Sequence, residues 1–280
     1  MNISSIRWLN FLSLDVIFLA LFWQEVLARS THTYPTLQER TLLGLVVGMI
    51  YIFDHLLDAR VNKSLPHLNN APRHHFIKKH ALLFRYILLF ATLIALSLLS
   101  TISYKLLLSG SLLALLTLLY LGMNTFLLNR GDWFSGREVF IAFIFTVGCG
   151  LAPLLHLQGR ADKILLAFSL IEFFILAFLN CTLIARLERG VHDEQLFKHL
   201  TPLPILSFLI SLLFLFFAHH NIDPASMKSI TIMSIGFFVS ILGLLSLGKI
   251  GQHYGDEVAS LAADGALIAG GLSSLLLFSL

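Results

Sequence analysis

Long apolar stretches recur along the whole chain and are separated by short polar segments. A helix needs about 20 mainly apolar residues to cross the hydrocarbon layer of a bilayer. Nine stretches have this character, at residues 8–28, 37–57, 81–101, 106–128, 139–157, 164–187, 203–218, 230–247 and 258–280. The segments between them are too short for a soluble domain. The pattern therefore predicts an all-α, polytopic membrane protein, with residues 1–280 forming a single transmembrane domain of nine helices.

The composition supports a membrane protein. Hydrophobic residues make up 57% of the chain and charged residues only 12%, which is too little polar surface for a soluble domain of this size. The first stretch also has features of a signal peptide, with Arg7 before an apolar run that ends near Ala28. Because Asp15 and Glu25 interrupt that run, we expect a retained first span.

The basic residues predict the orientation. With a cytoplasmic N-terminus, 12 of the 19 Lys and Arg residues fall on the cytoplasmic side, 6 fall on the other side, and Arg85 lies within a span. Cytoplasmic loops carry such an excess. We therefore expect a cytoplasmic N-terminus and, with nine spans, a C-terminus outside. The expected location is a bacterial inner membrane. The small positive net charge follows from this bias, and nothing indicates a nucleic-acid partner.

Two predicted spans end in acidic residues at the cytoplasmic side. The second ends in FDHLLDAR, which contains Asp54 and Asp58. The sixth leads into NCTLIARLERGVHDEQ, which begins at Asn180 and contains Glu188 and Asp193. Residues four apart lie on one face of a helix, so Asp54 and Asp58 are expected side by side.

A divalent cation would explain why two carboxylates stand one helical turn apart, where like charges repel. Mg²⁺ prefers oxygen ligands and commonly binds one or two carboxylates together with water and substrate phosphate. The simpler alternative is that Asp54 and Asp58 pair with Arg60 or other basic residues at the interface. Two acidic clusters at one membrane surface favour a diphosphate site.

The segment that follows the first acidic cluster is strongly basic. Residues 59–80 contain five Lys or Arg residues and four histidines. Arg binds phosphate oxygens in a bidentate manner, and Lys acts as a point charge. The positive-inside rule accounts for part of this charge, and a lipid-headgroup patch is a further alternative. Zinc is a weak alternative, since the adjacent His74 and His75 point in different directions on any regular element.

Nine helices with acidic motifs at the ends of the second and sixth resemble the UbiA superfamily of intramembrane prenyltransferases. The first motif of that family is NDxxDxxxD, and FDHLLDAR matches its DxxxD half through Asp54 and Asp58. The preceding Asn-Asp pair would fall at Ile50 and Tyr51 and is therefore missing.

Three other parts of the chain are similar to the family less closely. Glu188 and Asp193 stand in the region of its second, aspartate-rich motif, with different spacing. NRGDWFSGREVF at residues 129–140 is similar to a basic loop before the fifth helix, and VGCGLAP at residues 147–153 to a stretch of small residues. The likeness in architecture covers essentially the whole chain.

The resemblance implies a Mg²⁺-dependent transfer of a polyprenyl group from its diphosphate to a hydrophobic, membrane-associated acceptor. Ionisation of the allylic C–O bond leaves a carbocation and a diphosphate, whose growing charge a metal and basic side chains stabilise. The expected catalytic and metal-binding residues are Asp54, Asp58, Glu188 and Asp193. The expected substrate-binding residues are Arg60, Arg73, Arg137 and Asn180. Polyprenyl diphosphate, the acceptor and membrane lipids are the expected partners.

Ionisable residues inside apolar spans are costly and usually have a paired or functional role. Asp15, Glu172 and Asp264 are in this position. Arg85 is a candidate counter-ion for Asp15 or Asp264, although both acids could instead line the cavity that binds the substrate. The role of Glu172 is open.

Small residues and cysteines inside the spans have a structural interpretation. Gly148 and Gly150, and the run 269–271, are expected to allow close helix contacts. Cys149 and Cys181 lack the paired spacing of a metal site and are expected to be buried thiols.

Two other classes of function compete with the enzyme. A catalytically silent membrane scaffold or lipid-binding protein would explain the incomplete motifs. A transporter would use the buried acids for protons or ions, but the chain lacks a matching pair of Gly- or Pro-broken spans in two halves. The string DAR at residues 58–60 also occurs in CDP-alcohol phosphotransferases, but the further spaced aspartates of their motif are missing.

Overall fold

The computed structural model describes residues 14–61, 72–127, 134–187, 202–221, 224–254 and 256–279. These residues form ten α-helices and no strand. The helices are α1 (Leu14–Ser30), α2 (Leu37–Val61), α3 (Pro72–Lys79), α4 (Ala81–Leu98), α5 (Tyr104–Leu127), α6 (Phe134–His156), α7 (Arg160–Leu187), α8 (Pro202–Asn221), α9 (Pro224–Tyr254) and α10 (Asp256–Ser279). The predicted all-α class is confirmed for this part of the chain.

Every predicted span overlaps one of these helices. Seven helices among the described residues are long and apolar enough to cross a membrane, namely α2, α4, α5, α6, α7, α9 and α10. Helix α8 contains a shorter apolar stretch, Pro202–Phe216. The described helices therefore indicate a multi-pass integral membrane protein, while the count of nine and the sides of the two termini stay predictions.

The chain divides into two compact units, and the boundary between them falls inside α1. Unit 1 comprises Met1–Leu21 and Thr36–Trp133, and unit 2 comprises Phe22–Pro35 and Phe134–Leu280. The single-domain organisation stays a prediction.

Helix α2 is the centre of unit 1, because α3, α4 and α5 all pack against it. It begins with a capping box, in which Thr36 N donates to Glu39 Oε2 at 2.8 Å and Glu39 N donates to Thr36 Oγ1 at 3.3 Å. These bonds satisfy two N–H groups near the helix start. A Cβ atom on Gly48 would lie 2.8 Å from Ile17 Cδ1, so this glycine lets α1 approach α2 closely.

Helix α4 is apolar but largely uncovered by the rest of the chain. Only 11% of its apolar window is buried, and Leu82, Leu89 and Phe90 are among its exposed side chains. A helix that is apolar around its circumference needs a nonpolar environment. This face of unit 1 is therefore suited to contact with lipid.

Helix α7 is the centre of unit 2, because α6, α8, α9 and α10 all pack against it. Its apolar window is 61% buried, the largest share among the seven candidate spans. A membrane helix surrounded by protein can carry polar groups that a lipid-facing helix cannot. The two polar clusters of unit 2 described below, around Asn180 and around Glu172, both include residues of α7.

Helices α9 and α10 have the most extensive contact in unit 2, and small residues allow it. A Cβ atom on Gly236 would lie 2.7 Å from the Gly270 carbonyl oxygen, and one on Gly243 would lie 2.7 Å from Ala266 Cβ. Small residues let helix backbones approach closely in membranes. Cβ atoms on Gly150 and Gly271 would overlap Leu170 and Phe22, respectively. The predicted close contacts are thus confirmed at Gly150, Gly270 and Gly271.

The second half of α1 packs into unit 2 through an aromatic stack. The Trp23 ring, fully buried, stacks on Phe173 of α7 at a centroid distance of 4.5 Å and on Phe237 of α9 at 5.5 Å. Such rings contribute roughly 0.5–1.5 kcal/mol per pair beyond area burial. The second half of α1 is therefore an integral part of the core of unit 2.

Candidate functional site

The acidic end of α2 lies on regular helix. Helix α2 continues to Val61, four residues beyond the predicted end of the span at Leu57. Asp54 and Asp58 are therefore one turn apart on one helix face, as predicted. Asp54 is half-buried. Asp58 and Arg60 lie on the same helix, and their side chains are outside the described part of the structure.

Two residues next to Asp54 were missed by the sequence analysis. His55 is buried, and its ring meets that of Tyr51 edge to face at a centroid distance of 6.3 Å. Their spacing of four residues places them on one helix face. A histidine and a tyrosine flanking Asp54 in an otherwise apolar segment were the signal available in the sequence.

A short basic helix packs beside this acidic end. Helix α3, with the sequence PRHHFIKK, was expected to be part of a loop. Its Ile77 is only 1% exposed and belongs to a core cluster with Ile52 of α2 and Phe84 of α4. Ile52 lies two residues before Asp54. Helix α3, which contains Arg73, is therefore fixed next to the part of α2 that carries the acids.

The charge of α3 is directed partly toward solvent or a headgroup layer. Lys78 and Lys79 are exposed at the end of the helix. The Phe76 ring contacts that of His80 at a tilt, with a centroid distance of 4.6 Å, at the junction of α3 and α4. Among the described side chains of α3, Ile77 is thus packed, and Lys78 and Lys79 present cationic groups.

A second polar cluster lies inside unit 2, with residues from α7 and from α6 and α10, which both pack against it. Asn180 Nδ2 of α7 donates to Asp264 Oδ1 of α10 at 3.2 Å, and both side chains are buried. Asp264, Glu138 and Arg137 all lie close enough to act electrostatically on the Cys181 thiol. Two predicted substrate-binding residues, Arg137 and Asn180, therefore belong to one cluster.

This cluster changes the expectation for the buried charges. Glu138, which is 5% exposed, was not singled out from the sequence, although it follows Arg137 directly. Arg85, the candidate counter-ion of Asp15 or Asp264, is exposed on α4 and forms no ion pair with a described side chain. Asp264 instead accepts its hydrogen bond from the Asn180 amide. The Oδ1 atom of Asp15 accepts a hydrogen bond from Val16 N at 2.9 Å.

The prediction of buried thiols is confirmed for Cys149, which is buried, whereas Cys181 is half-buried. Both are free thiols. Neither belongs to a group of three or more His, Cys, Asp or Glu residues that could hold a metal, and the described residues contain no such group.

The second predicted acidic motif lies outside the described residues. Glu188 and Asp193 fall in the segment 188–201, which separates α7 from α8. The side chain of Arg73 is likewise not described, although α3 is.

The donor chemistry at the end of α2 suits a hard cation. Carboxylates are the side-chain ligands that Mg²⁺ prefers, and water and substrate phosphate supply most of its remaining ligands. Asp54 and Asp58 provide this chemistry with the spacing of one helical turn. They fit a site that is completed by a phosphorylated ligand.

Comparison with known proteins gives no relative. No family model matches the chain, and neither curated proteins nor solved structures match it significantly.

Proposed function

We propose that the protein is a UbiA-like prenyltransferase of a bacterial inner membrane, which transfers a polyprenyl group from its diphosphate to a hydrophobic acceptor. The observation that carries this proposal is the packing of basic helix α3 beside the acidic end of α2, through Ile77, Ile52 and Phe84. Carboxylates and cations next to each other at the end of an apolar helix suit a metal-bound diphosphate with an apolar tail.

Asp54 and Asp58 would hold Mg²⁺, with Glu188 and Asp193 supplying further carboxylate oxygens. When bound, Mg²⁺ neutralises charge on the diphosphate as the allylic C–O bond ionises. The reaction breaks this bond with its electron pair leaving on the diphosphate, and the acceptor forms the new bond and loses a proton.

The basic residues have a separate role. Arg60 and Arg73 would donate to the diphosphate oxygens, since guanidinium groups bind such oxygens in a bidentate manner. In unit 2, Arg137 and Asn180 stand beside Asp264 and Glu138, and this proximity supports a common polar site for them. Aliphatic and aromatic residues of the spans provide apolar surface for the prenyl chain.

The direct test uses purified protein in lipid nanodiscs. Labelled polyprenyl diphosphates of several chain lengths are supplied with a membrane lipid extract as the source of acceptor, with Mg²⁺ or with a chelator. We expect label in an organic-soluble product only when Mg²⁺ is present. The double variant Asp54→Asn/Asp58→Asn should lose both this product and Mg²⁺-dependent binding of the diphosphate.

The matched control is Asp162→Asn in the first turn of α7. It makes the same chemical change at an acid that has no role in the proposed site, and it should keep parental activity. Equal activity of the double variant and the parent would refute the metal assignment. Binding of prenyl lipids without turnover or Mg²⁺ dependence would instead favour the silent lipid-binding alternative, which the missing Asn-Asp pair at Ile50 and Tyr51 supports.

A further inference from the structure

Glu172 is a buried acid that the proposed reaction does not use. It lies near the middle of α7 and is 1% exposed. The span that contains it is the most buried of the seven candidates. An acid at such a depth is rare unless it is paired or functional.

Two serines of α8 are the hydrogen-bond partners of Glu172. Ser211 Oγ donates to Oε1 at 3.2 Å, and Ser207 Oγ forms a short hydrogen bond with Oε2. Ser207 and Ser211 are four residues apart and both are buried, so α8 presents them on one face. Each carboxyl oxygen of Glu172 is thus matched with one hydroxyl group.

Positive charge is missing from this set of contacts. Within the described part of the chain, Glu172 has no hydrogen bond or ion pair with a titratable side chain of its own helix or of the helices packed on it. On its own helix these groups are Asp162, Lys163 and Cys181. On the second half of α1 they are Glu25 and Arg29, which pair with each other, and on α6, α9 and α10 they are Arg137, Glu138, Cys149, His156, Lys228 and Asp264.

The same faces of α7 and α8 also share an aromatic contact. Phe168, one turn before Glu172, stacks on Phe214 of α8 with a centroid distance of 4.3 Å. The opposite side of α8 is uncovered, since Leu213 is 72% exposed. Helix α8 also packs against α9, where Phe208 meets Phe238 at a centroid distance of 6.3 Å. The Glu172 contacts are the polar part of the attachment of α8 to α7.

We infer that Glu172 is a proton-binding site that fastens α8 to α7 as a neutral carboxylic acid. An ionised carboxylate in this position would lack a cation, and two hydroxyl groups do not neutralise a charge in an apolar interior. A neutral acid fits both partners, because its O–H group can donate to Ser207 while its carbonyl oxygen accepts from Ser211. This inference is independent of the proposed prenyl transfer.

Infrared spectroscopy tests the bound proton. The difference spectrum between parent and Glu172→Gln, recorded in nanodiscs at neutral pH, should contain the C=O stretching band of a protonated carboxylic acid, with a shift in D₂O. Carboxylate bands in its place would overturn the inference. The spectra are recorded in sodium and in choline chloride, and a carboxylate band that depends on sodium would assign the site to a monovalent cation instead.

Hydrogen exchange tests the attachment of α8. Glu172→Gln should leave the exchange of α8 amides unchanged, because an amide side chain also donates and accepts. Ser207→Ala/Ser211→Ala should raise the exchange in α8 on the order of tenfold, the effect expected for one or two net hydrogen bonds. Ser246→Ala is the control, since this exposed serine bonds only to the Gly243 carbonyl of its own helix.

Either of two results would contradict the attachment. Faster exchange in Glu172→Gln would show that charge, rather than neutral hydrogen bonding, holds α8. Equal exchange in the double serine variant and in the Ser246→Ala control would show that the apolar contacts of α8 with α7 and α9 suffice to hold it.

Discussion

Asp54 and Glu172 are both acids on apolar helices, and their surroundings differ in two ways. Asp54 is half-buried near the end of α2, where the basic helix α3 packs. Glu172 is buried in the middle of α7, with two hydroxyl groups as partners. The two proposals for these acids therefore depend on the charged groups around each one, and not on the acidic side chain itself.

The largest expected effect follows from removing the charge of Asp54. Asp54→Asn keeps the shape of the side chain but removes a proposed metal ligand. Loss of a residue that only supports a metal ligand lowers activity about 10- to 100-fold. Loss of the ligand itself should therefore lower turnover of polyprenyl diphosphate by at least about 100-fold. Steady-state kinetics in nanodiscs measure this loss. A loss of less than about tenfold would contradict a ligand role.

A smaller effect is expected when α3 loses its apolar anchor. Ile77→Ala removes a buried side chain that contacts Ile52 and Phe84, which costs roughly 2–5 kcal/mol in a well-packed core. Because Ile77 holds α3 against α2 and α4, binding of a non-hydrolysable polyprenyl diphosphate analogue should weaken by about tenfold, one 1.4 kcal/mol step. Calorimetric titration measures the affinity, and Leu82→Ala, at an exposed site on α4, is the control.

The exposed lysines of α3 should contribute less. Lys78→Ala/Lys79→Ala removes two solvent-exposed charges, whose individual contributions are about 0.2–1 kcal/mol. Affinity for the same analogue should fall a few-fold at low salt, and the difference should shrink as salt rises. A salt-independent difference would indicate that these lysines act through packing.

The smallest effect is expected at Glu172. Glu172→Gln makes the same type of change as Asp54→Asn, yet turnover and the thermal unfolding midpoint should match those of the parent. Thermal scans in detergent, alongside the kinetic assay, check this outcome. A large loss of stability would remove the contrast between the two acids.

Sequence alone was sufficient for most of the fold. Nine apolar stretches overlap nine described helices because the signal, an apolar run of membrane length, is local. Helix α3 was not predicted, because its eight residues are mostly polar and give no local apolar signal. Its position depends on a distant contact, the packing of Ile77 against Ile52 and Phe84. The close contact of α9 and α10 was predicted only in part, since Gly270 was identified from the sequence as a contact residue and its partner Gly236 was not.

The candidate site, like the fold, could be predicted from the sequence only where its features depend on local spacing. The shared helix face of Asp54 and Asp58 follows from their spacing, and the sequence therefore predicts it. The hydrogen bond between Asn180 and Asp264 joins residues 84 positions apart. Such a pair depends on how α7 and α10 pack, and local spacing gives no information on it.

The Trp23 stack has a consequence for the order in which the chain is synthesised. Trp23 is made early, but Phe173 and Phe237, the rings on which it stacks, emerge from the ribosome much later. Phe22 packs against Gly271 of α10, which is also made much later. The second unit therefore cannot complete its core until α10 has been synthesised, and until then the indole ring must be sheltered by lipid or by the insertion machinery.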